Sequence, residues 1–382
     1  MKQLWNIQKN FLEIKKMPYY WRLSNSIKDS SVPKYLPIRV RINDEYDFLE
    51  SFPTDNEWKY MQESYFKNEN IGFVNPESGQ ILKYGKNVND FFLKVMKNYK
   101  PKKIFEIGCG AGFTIKFLSE NGFNVIGIDP SEYSFKWSQK LNFELINNFF
   151  DQNTIEKRAD FIFCNDVFEH IPKVYEFTSQ VYDSLNSGGV FCFSTPNSTQ
   201  NINIGDISMF EHQHVNMFSE NSIKLILQKA GFNKVVVNYG KYGNVFNVIA
   251  EKTKRSCTKK KKNLKGICSN FFERTSLNLN KFEKFYKNFG DNCCFYVPLR
   301  CIPYLALVGD FGKSDLFDSN QSWRGKYIDG YSKPIKSKND LKDKRIIEKN
   351  FFIGSITFYK EIKKMLIDHK VNSNKIFSIY NL

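Results

Sequence analysis

Three glycines alternate with small residues in Ile107-Gly108-Cys109-Gly110-Ala111-Gly112, with Glu106 inside the preceding strand pattern and Asp129 21 positions beyond Gly108. Glycine reaches backbone conformations closed to other residues, so such a run can turn sharply and bring main-chain atoms close to a bound molecule. A carboxylate at the end of the next strand is placed to accept hydrogen bonds from ribose hydroxyls. A dinucleotide loop would need Gly or Ala at its sixth place, where this chain has Phe113. A second group of residues could move a proton. Glu211-His212-Gln213-His214 precedes a helix signal, and His170 follows the run Asn165-Asp166-Val167-Phe168-Glu169. Imidazole is suited to take a proton from a hydroxyl or an acidic carbon near neutral pH. His214 is the first candidate for that work and His212 the second, with His170 read as shaping the ligand pocket. The four histidines and eight cysteines show no finger-type zinc spacing, and a two-histidine metal site lacks a clear third ligand, so no metal is expected.

The elements that must carry these residues follow from the apolar pattern. Phe91, Phe92, Val95, Met96 and Tyr99 line one helix face before Pro101. Strands and helices then alternate: strand 104–107, helix 113–121, strand 124–128, helix 131–141, strand 143–146, strand 160–164. A helix opened by Pro172 carries Val174, Phe177, Val181 and Leu185 inward, and Gly188-Gly189 ends it ahead of strand 190–194. Ser219 caps another helix that Gly231 closes. Strands 234–239 and 244–250 are joined too tightly for a parallel crossover and should form an antiparallel hairpin. The expected fold class is α/β: a doubly wound seven-stranded sheet, mostly parallel with an antiparallel edge hairpin, plus a smaller carboxyl-terminal α/β domain. In that domain 304–308, 316–317 and 351–353 are candidate strands, 357–368 a helix and 376–379 a last strand. Leu4, Ile7, Phe11 and Ile14 recur at helical spacing, which predicts an amphipathic helix. The stretch 18–85 shows no clear period. The domains read from this pattern are an amino-terminal lid or substrate-recognition region (1–86), a central domain (87–252), a basic linker and helix (253–292, the helix at 271–289) and a small Rossmann-like domain (293–382).

Composition narrows the class. Hydrophobic residues make up 41% of the 382, with 37 Phe, enough for two or three cores. No apolar run approaches the roughly 20 residues that span a bilayer, and Met1 to Met17 is broken by lysines, unlike a secretory leader. The cysteines lack C-x-x-C spacing and read as reduced thiols of a cytoplasmic protein. The net charge of +16 would suit phosphorylated ligands. Much of it lies in Lys252, Lys254, Arg255, Lys259 to Lys262 and Lys265, which read as a solvated linker. No nucleic-acid recognition module is present.

The G-x-G-x-G run preceded by Glu106 resembles the first motif of class I S-adenosylmethionine (SAM)-dependent methyltransferases. Ala159 to Ile171 resembles that family's fourth-strand motif, and Ser194-Thr195-Pro196-Asn197 its fifth-strand ending. The resemblance covers about residues 85 to 252. It implies SAM as cofactor, with Glu106 on its amino group, Asp129 on its ribose and Asn165 near its methionine part. Glu211 to Ser219 is similar to the E-H-x-x-Y-F-S stretch of sugar C-methyltransferases, whose histidine is a base; here His214 takes that place, Gln213 replaces the acid and Met217 the tyrosine. Residues 293 to 382 look like an accessory Rossmann-like module of such enzymes, with Tyr296 to Arg300 in place of its glycine-rich opening. The expectation is methyl transfer to a hydroxyl of a nucleotide-linked or glycan-precursor sugar, with no nucleic acid or integral membrane partner. A sugar carbon or a quinone-type small molecule is the alternative acceptor, and a SAM-binding scaffold the non-enzymatic one.

Overall fold

The computed structural model describes residues 4–20, 23–26, 34–66, 83–151, 153–156, 158–241, 244–253 and 266–381. The lysine run at 259–262 lies outside them. A seven-stranded sheet forms the centre, in the order 234–239, 245–251, 185–196, 159–165, 104–107, 125–128, 145–146. The five strands from Leu185–Pro196 to Leu145–Ile146 pair in parallel, and Val245–Glu251 pairs antiparallel with both of its neighbours. This is the expected sheet and hairpin. Phe105, Ile107, Ile162, Cys164, Phe191 and Phe193 fill one face of it, against Val174, Phe177 and Val181 of the helix Val174–Ser184. Phe161, Phe163, Val190 and Cys192 fill the other, against Phe92, Val95 and Met96 of the helix Lys83–Tyr99. Strands buried on both faces are what a parallel sheet flanked by helices requires. The strand expected at 143–146 shortens to Leu145–Ile146, because Phe143 turns inward to fill the space beside Gly112.

Two expectations are corrected. The amino terminus is not a helix: Trp5–Gln8 and Phe11–Pro18 form an antiparallel hairpin. Leu12 and Ile14 are buried while Phe11 and Glu13, alternating with them, are half-exposed, and this period of two overrides the helical spacing of Leu4, Ile7, Phe11 and Ile14. The hairpin continues through Tyr35–Asn43 and Phe48–Ser51, so the stretch read as aperiodic holds these two strands besides the short Leu23–Ser24, and then the helix Asp55–Phe66. Nor is 304–308 a strand. Pro298–Val308 is a helix in which 301–307 are all buried, and a run buried all round carries no period to distinguish it.

The carboxyl-terminal unit is a five-stranded, wholly parallel sheet in the order 335–337, 315–318, 293–296, 350–353, 376–377. It joins the amino-terminal sheet through one continuous core. Trp5, Leu12, Ile14, Val40, Phe271, Phe282, Tyr304 and Phe352 belong to it, with the helix Phe271–Phe289 between them. Leu23–Ser24 pairs with Tyr327–Ile328, and Tyr35 donates to the Gly330 carbonyl at 2.7 Å. The described cysteines are all free and buried. Among the described residues no helix is long and apolar enough to cross a membrane.

Candidate active site

The glycine loop leaves the strand Ile104–Ile107 and enters the helix Phe113–Glu120. Gly108, Gly110 and Gly112 all have positive φ, at 71°, 51° and 72°. A Cβ on Gly108 would strike Val167, and one on Gly112 the Phe143 ring, whereas one on Gly110 would meet nothing within 4 Å. The outer two glycines therefore serve packing, and Gly110 leaves space open. Asp129 closes the loop from the next strand: its Oδ2 accepts from Gly110 N at 2.9 Å, and its Oδ1 accepts from Ser131 N and Oγ at 2.9 and 2.7 Å. The carboxylate thus fixes both turns before any ligand arrives.

A cavity of about 720 Å³ opens beside this loop, a size typical of small-molecule sites. Glu106, Gly108, Cys109, Gly110, Asp129, Pro130, Asn165 and His214 all line it; Gly112 and His212 do not. Three buried oxygens on its wall, Glu106 Oε2, Asn165 Oδ1 and Glu169 Oε1, have no hydrogen-bond partner. Orphaned acceptors are costly in an interior, so the wall is shaped for donors supplied from outside. Burial, and then the charge of Asp129, hold the Glu106 carboxyl well above its usual range. A cationic amino group beside it would reverse that. Asn148, Phe149 and Phe150 form the side next to the sheet's third parallel strand, with Phe150 held edge-on against Phe177 at 5.6 Å.

The opposite wall is ionisable. His214 Nε2 meets Glu211 Oε1 at 2.6 Å and stands 3.9 Å from Glu169 Oε1. Burial works against the imidazolium, but the charge and hydrogen bond of Glu211 and the charge of Glu169 outweigh it and hold His214 above its ordinary pKa. Burial likewise opposes ionisation of Glu211, yet its bond to His214 draws it down to about 2. His170 packs edge-on to His214 at 4.9 Å and binds the Gln213 carbonyl through Nδ1 at 2.8 Å; burial lowers its pKa to about 4. Thr195 donates to Glu169 Oε2 at 2.9 Å. Tyr84 donates to Asp166 Oδ1 at 2.6 Å, and burial with the nearby Glu169 charge pushes Asp166 up to about 7. Glu169, His170 and His214 bring ligand atoms within 4.8 Å of one another. Glu169 is the third donor that the sequence did not reveal, so this group could hold a divalent cation.

The histidine loop owes its position to the amino-terminal sheet. Asn216–Met217 adds to that sheet as a fifth strand, opposite Glu50 and Leu49, and Ser51 N donates to the Val215 carbonyl at 2.7 Å. His212 and His214 lie in the irregular segment just before that strand, and their surroundings differ. His214 faces the cavity, while His212 faces the amino-terminal sheet, with Nε2 on the Leu36 carbonyl at 3.1 Å and its ring on Tyr19 at 5.3 Å. His212 is 5% exposed, and burial lowers its pKa to about 4. This corrects the expectation that His212 is a second catalytic candidate. Sequence reading passed over Tyr84, Asp166, Glu169 and Glu211. Two of these sit inside the quoted fourth-strand motif, and Glu211 adjoins the histidines, so the acids flanking each histidine were the available signal. Arg300 and residues 354–357 of the carboxyl-terminal unit, with Tyr20, Trp58 and Gln62 of the amino-terminal part, complete the lining.

Residues 79–237 match a family model described as a methyltransferase domain. Among curated relatives, two ubiquinone biosynthesis O-methyltransferases are each 30% identical. That of Hydrogenovibrio crunogenus aligns over 114 residues (28% of this chain, 47% of its own), and that of Rickettsia conorii over 129 (32% and 44%). The chain thus spans under half the length of either. Among solved structures, magnesium protoporphyrin IX methyltransferase from Synechocystis is similar at 16% identity and TM-score 0.37, covering 46% of this chain and 90% of that one. A SAM-dependent methyltransferase from Archaeoglobus fulgidus is similar at 17% and 0.35, covering 43% and 94%. The family match falls on the glycine loop, the parallel strands and the orphaned Glu106, so residues 79–237 carry a methyltransferase domain.

Proposed function

We propose that the chain transfers a methyl group from SAM to a hydroxyl of a small-molecule acceptor, with His214 as the base. The observation that carries this is one cavity bounded on one side by the glycine loop with the unpartnered Glu106 and on the other by the His214–Glu211 pair. When bound, SAM supplies a sulfonium methyl open to in-line displacement. Glu106 would receive its amino group, Asp129 its ribose hydroxyls and the backbone at Gly110 its approach, with Asn165 on the methionine side. Displacement gains most from alignment, which the loop's fixed hydrogen bonds provide. His214 takes the hydroxyl proton, and Glu211 steadies the imidazolium that results.

For the acceptor, the names of the curated relatives favour the quinone-type alternative over the sugar first expected from sequence. A sugar remains the second reading, favoured by Gln62, Asn197, Asn201, Gln213 and Arg300 on the lining. We also read the chain as cytoplasmic, consistent with its free cysteines. The test is incubation with methyl-labelled SAM and a panel of catechols, hydroquinones and nucleotide sugars. Label should appear as an ether on one class and vanish with His214→Ala. Label on carbon, or none on any member, would sink the O-methyl reading.

A further inference from the structure

The carboxyl-terminal sheet has its own place for a ligand. Its first strand in the chain, Cys293–Tyr296, lies at the centre, with the second and third on one side and the fourth and fifth on the other. Strand order therefore reverses between Cys293–Tyr296 and Asn350–Ile353. In open parallel sheets the crevice at such a reversal, outside the carboxyl ends of the two strands, is where ligands bind. The segments leaving those ends are 297–300 and 354–357. Residues Arg300 and Gly354 to Thr357 from these segments line the same cavity as Gly110 and His214. The reversal points of two separate sheets thus open into one space.

The crevice is held open at a local cost. Val297, a β-branched residue, adopts φ +64° to turn directly from strand into helix, a conformation that only strong surroundings maintain. Gly354 bonds back to the Tyr296 carbonyl at 3.0 Å, and a Cβ there would meet Cys301 Sγ at 2.6 Å. Arg300 stands at this junction. Its guanidinium donates to the Ser208 carbonyl at 3.4 Å, and among the described residues no carboxylate forms an ion pair with it. The acids nearby are already engaged: Glu211 by His214, and Asp206 by Tyr304 at 2.6 Å and by Ser208. A planar guanidinium with donors to spare is matched to an oxyanion that can accept two of them.

We propose that the end of the acceptor remote from the transferred methyl carries an anionic group, a phosphate ester or a carboxylate, that Arg300 binds in this crevice. The inference rests on the reading of the cavity as the methyl-acceptor site and adds a specificity-determining residue to it. Calorimetric titration of the full chain, with and without S-adenosylhomocysteine, would use uridine diphosphate and 4-hydroxybenzoate as the phosphate and carboxylate probes. One of them should bind. Arg300→Gln should weaken it about tenfold or more, the scale of a lost charge-assisted hydrogen bond, and Arg300→Lys should recover part of that loss. Thermal unfolding of both variants shows that the fold is kept. Binding of neither probe to the unsubstituted chain, or equal binding by Arg300→Gln, would overturn the proposal. Failure of S-adenosylhomocysteine to bind would instead overturn the methyltransferase reading, and the titrations without it still report on Arg300.

Discussion

Replacing Glu211 by glutamine keeps the shape of its side chain and removes its charge, which isolates what raises His214. The two side chains meet at 2.6 Å and are 17% and 26% exposed, so solvent screens the pair little. A hydrogen bond to a charged group contributes about 1.5–3 kcal/mol when buried. At 1.36 kcal/mol per pKa unit, its loss lowers His214 by about 1–2 units. Burial is the largest cause that takes His170 and His212 down to about 4, so His214 without the Glu211 charge should move in the same direction. The chain has four histidines, so nitrogen-15 NMR of histidine-labelled protein can follow each imidazole through a pH titration without knowledge of the acceptor. The same pairing sets a stability window. Because His214 is raised in the folded state, its contribution is complete below about pH 6.5 and disappears as pH rises through the folded value. Glu211→Gln should therefore lower the melting temperature more at pH 6 than at pH 9. A His214 titration unmoved by the substitution would refute the reasoning, because the ion pair would not be governing the base.

His214→Ala should retain S-adenosylhomocysteine binding and lower turnover by about a hundredfold or more, and kcat/KM of the unsubstituted chain should rise with pH through an apparent pKa above 6.5. His212→Ala should instead cost about 2–4 kcal/mol of stability, from a lost buried hydrogen bond and an emptied space, measured by urea unfolding. Gly112→Ala combines a left-handed backbone with a collision against Phe143 and should destabilise by about 2–5 kcal/mol. Gly110→Ala, with open space around its Cβ, should cost only about 1–2 kcal/mol but abolish cofactor affinity, seen by comparing melting curves with and without S-adenosylhomocysteine. Asp129→Ala removes acceptors from Gly110 and Ser131 and should reduce that affinity by about a hundredfold or more.

The central sheet was legible in the sequence because its signals are local. A buried strand, a glycine turn and an amphipathic helix repeat in order, and each announces itself within a dozen residues. The cradle was legible for the same reason, since Gly108 and Asp129 end adjacent strands. The histidine loop was only half legible. His212 and His214 look alike in sequence, and what separates them is the packing of His212 on Leu36 and Tyr19, more than 170 residues earlier. The amino-terminal hairpin was misread because four apolar residues fit a helical period by chance, while the burial that decides between periods comes from Phe282 and Tyr304, far along the chain. Arg300 had no local mark at all. Its role follows from the strand order of the carboxyl-terminal sheet, which no window of sequence displays.

The most direct measurement is calorimetric titration of the purified chain with SAM, S-adenosylhomocysteine and NAD in parallel. The expected result is saturable binding of the first two near one per chain and none of NAD, with both signals lost in Asp129→Ala. Binding of NAD in place of either would contradict the assignment of the glycine loop, and the His214–Glu211 pair would then have to be read for hydride rather than methyl transfer.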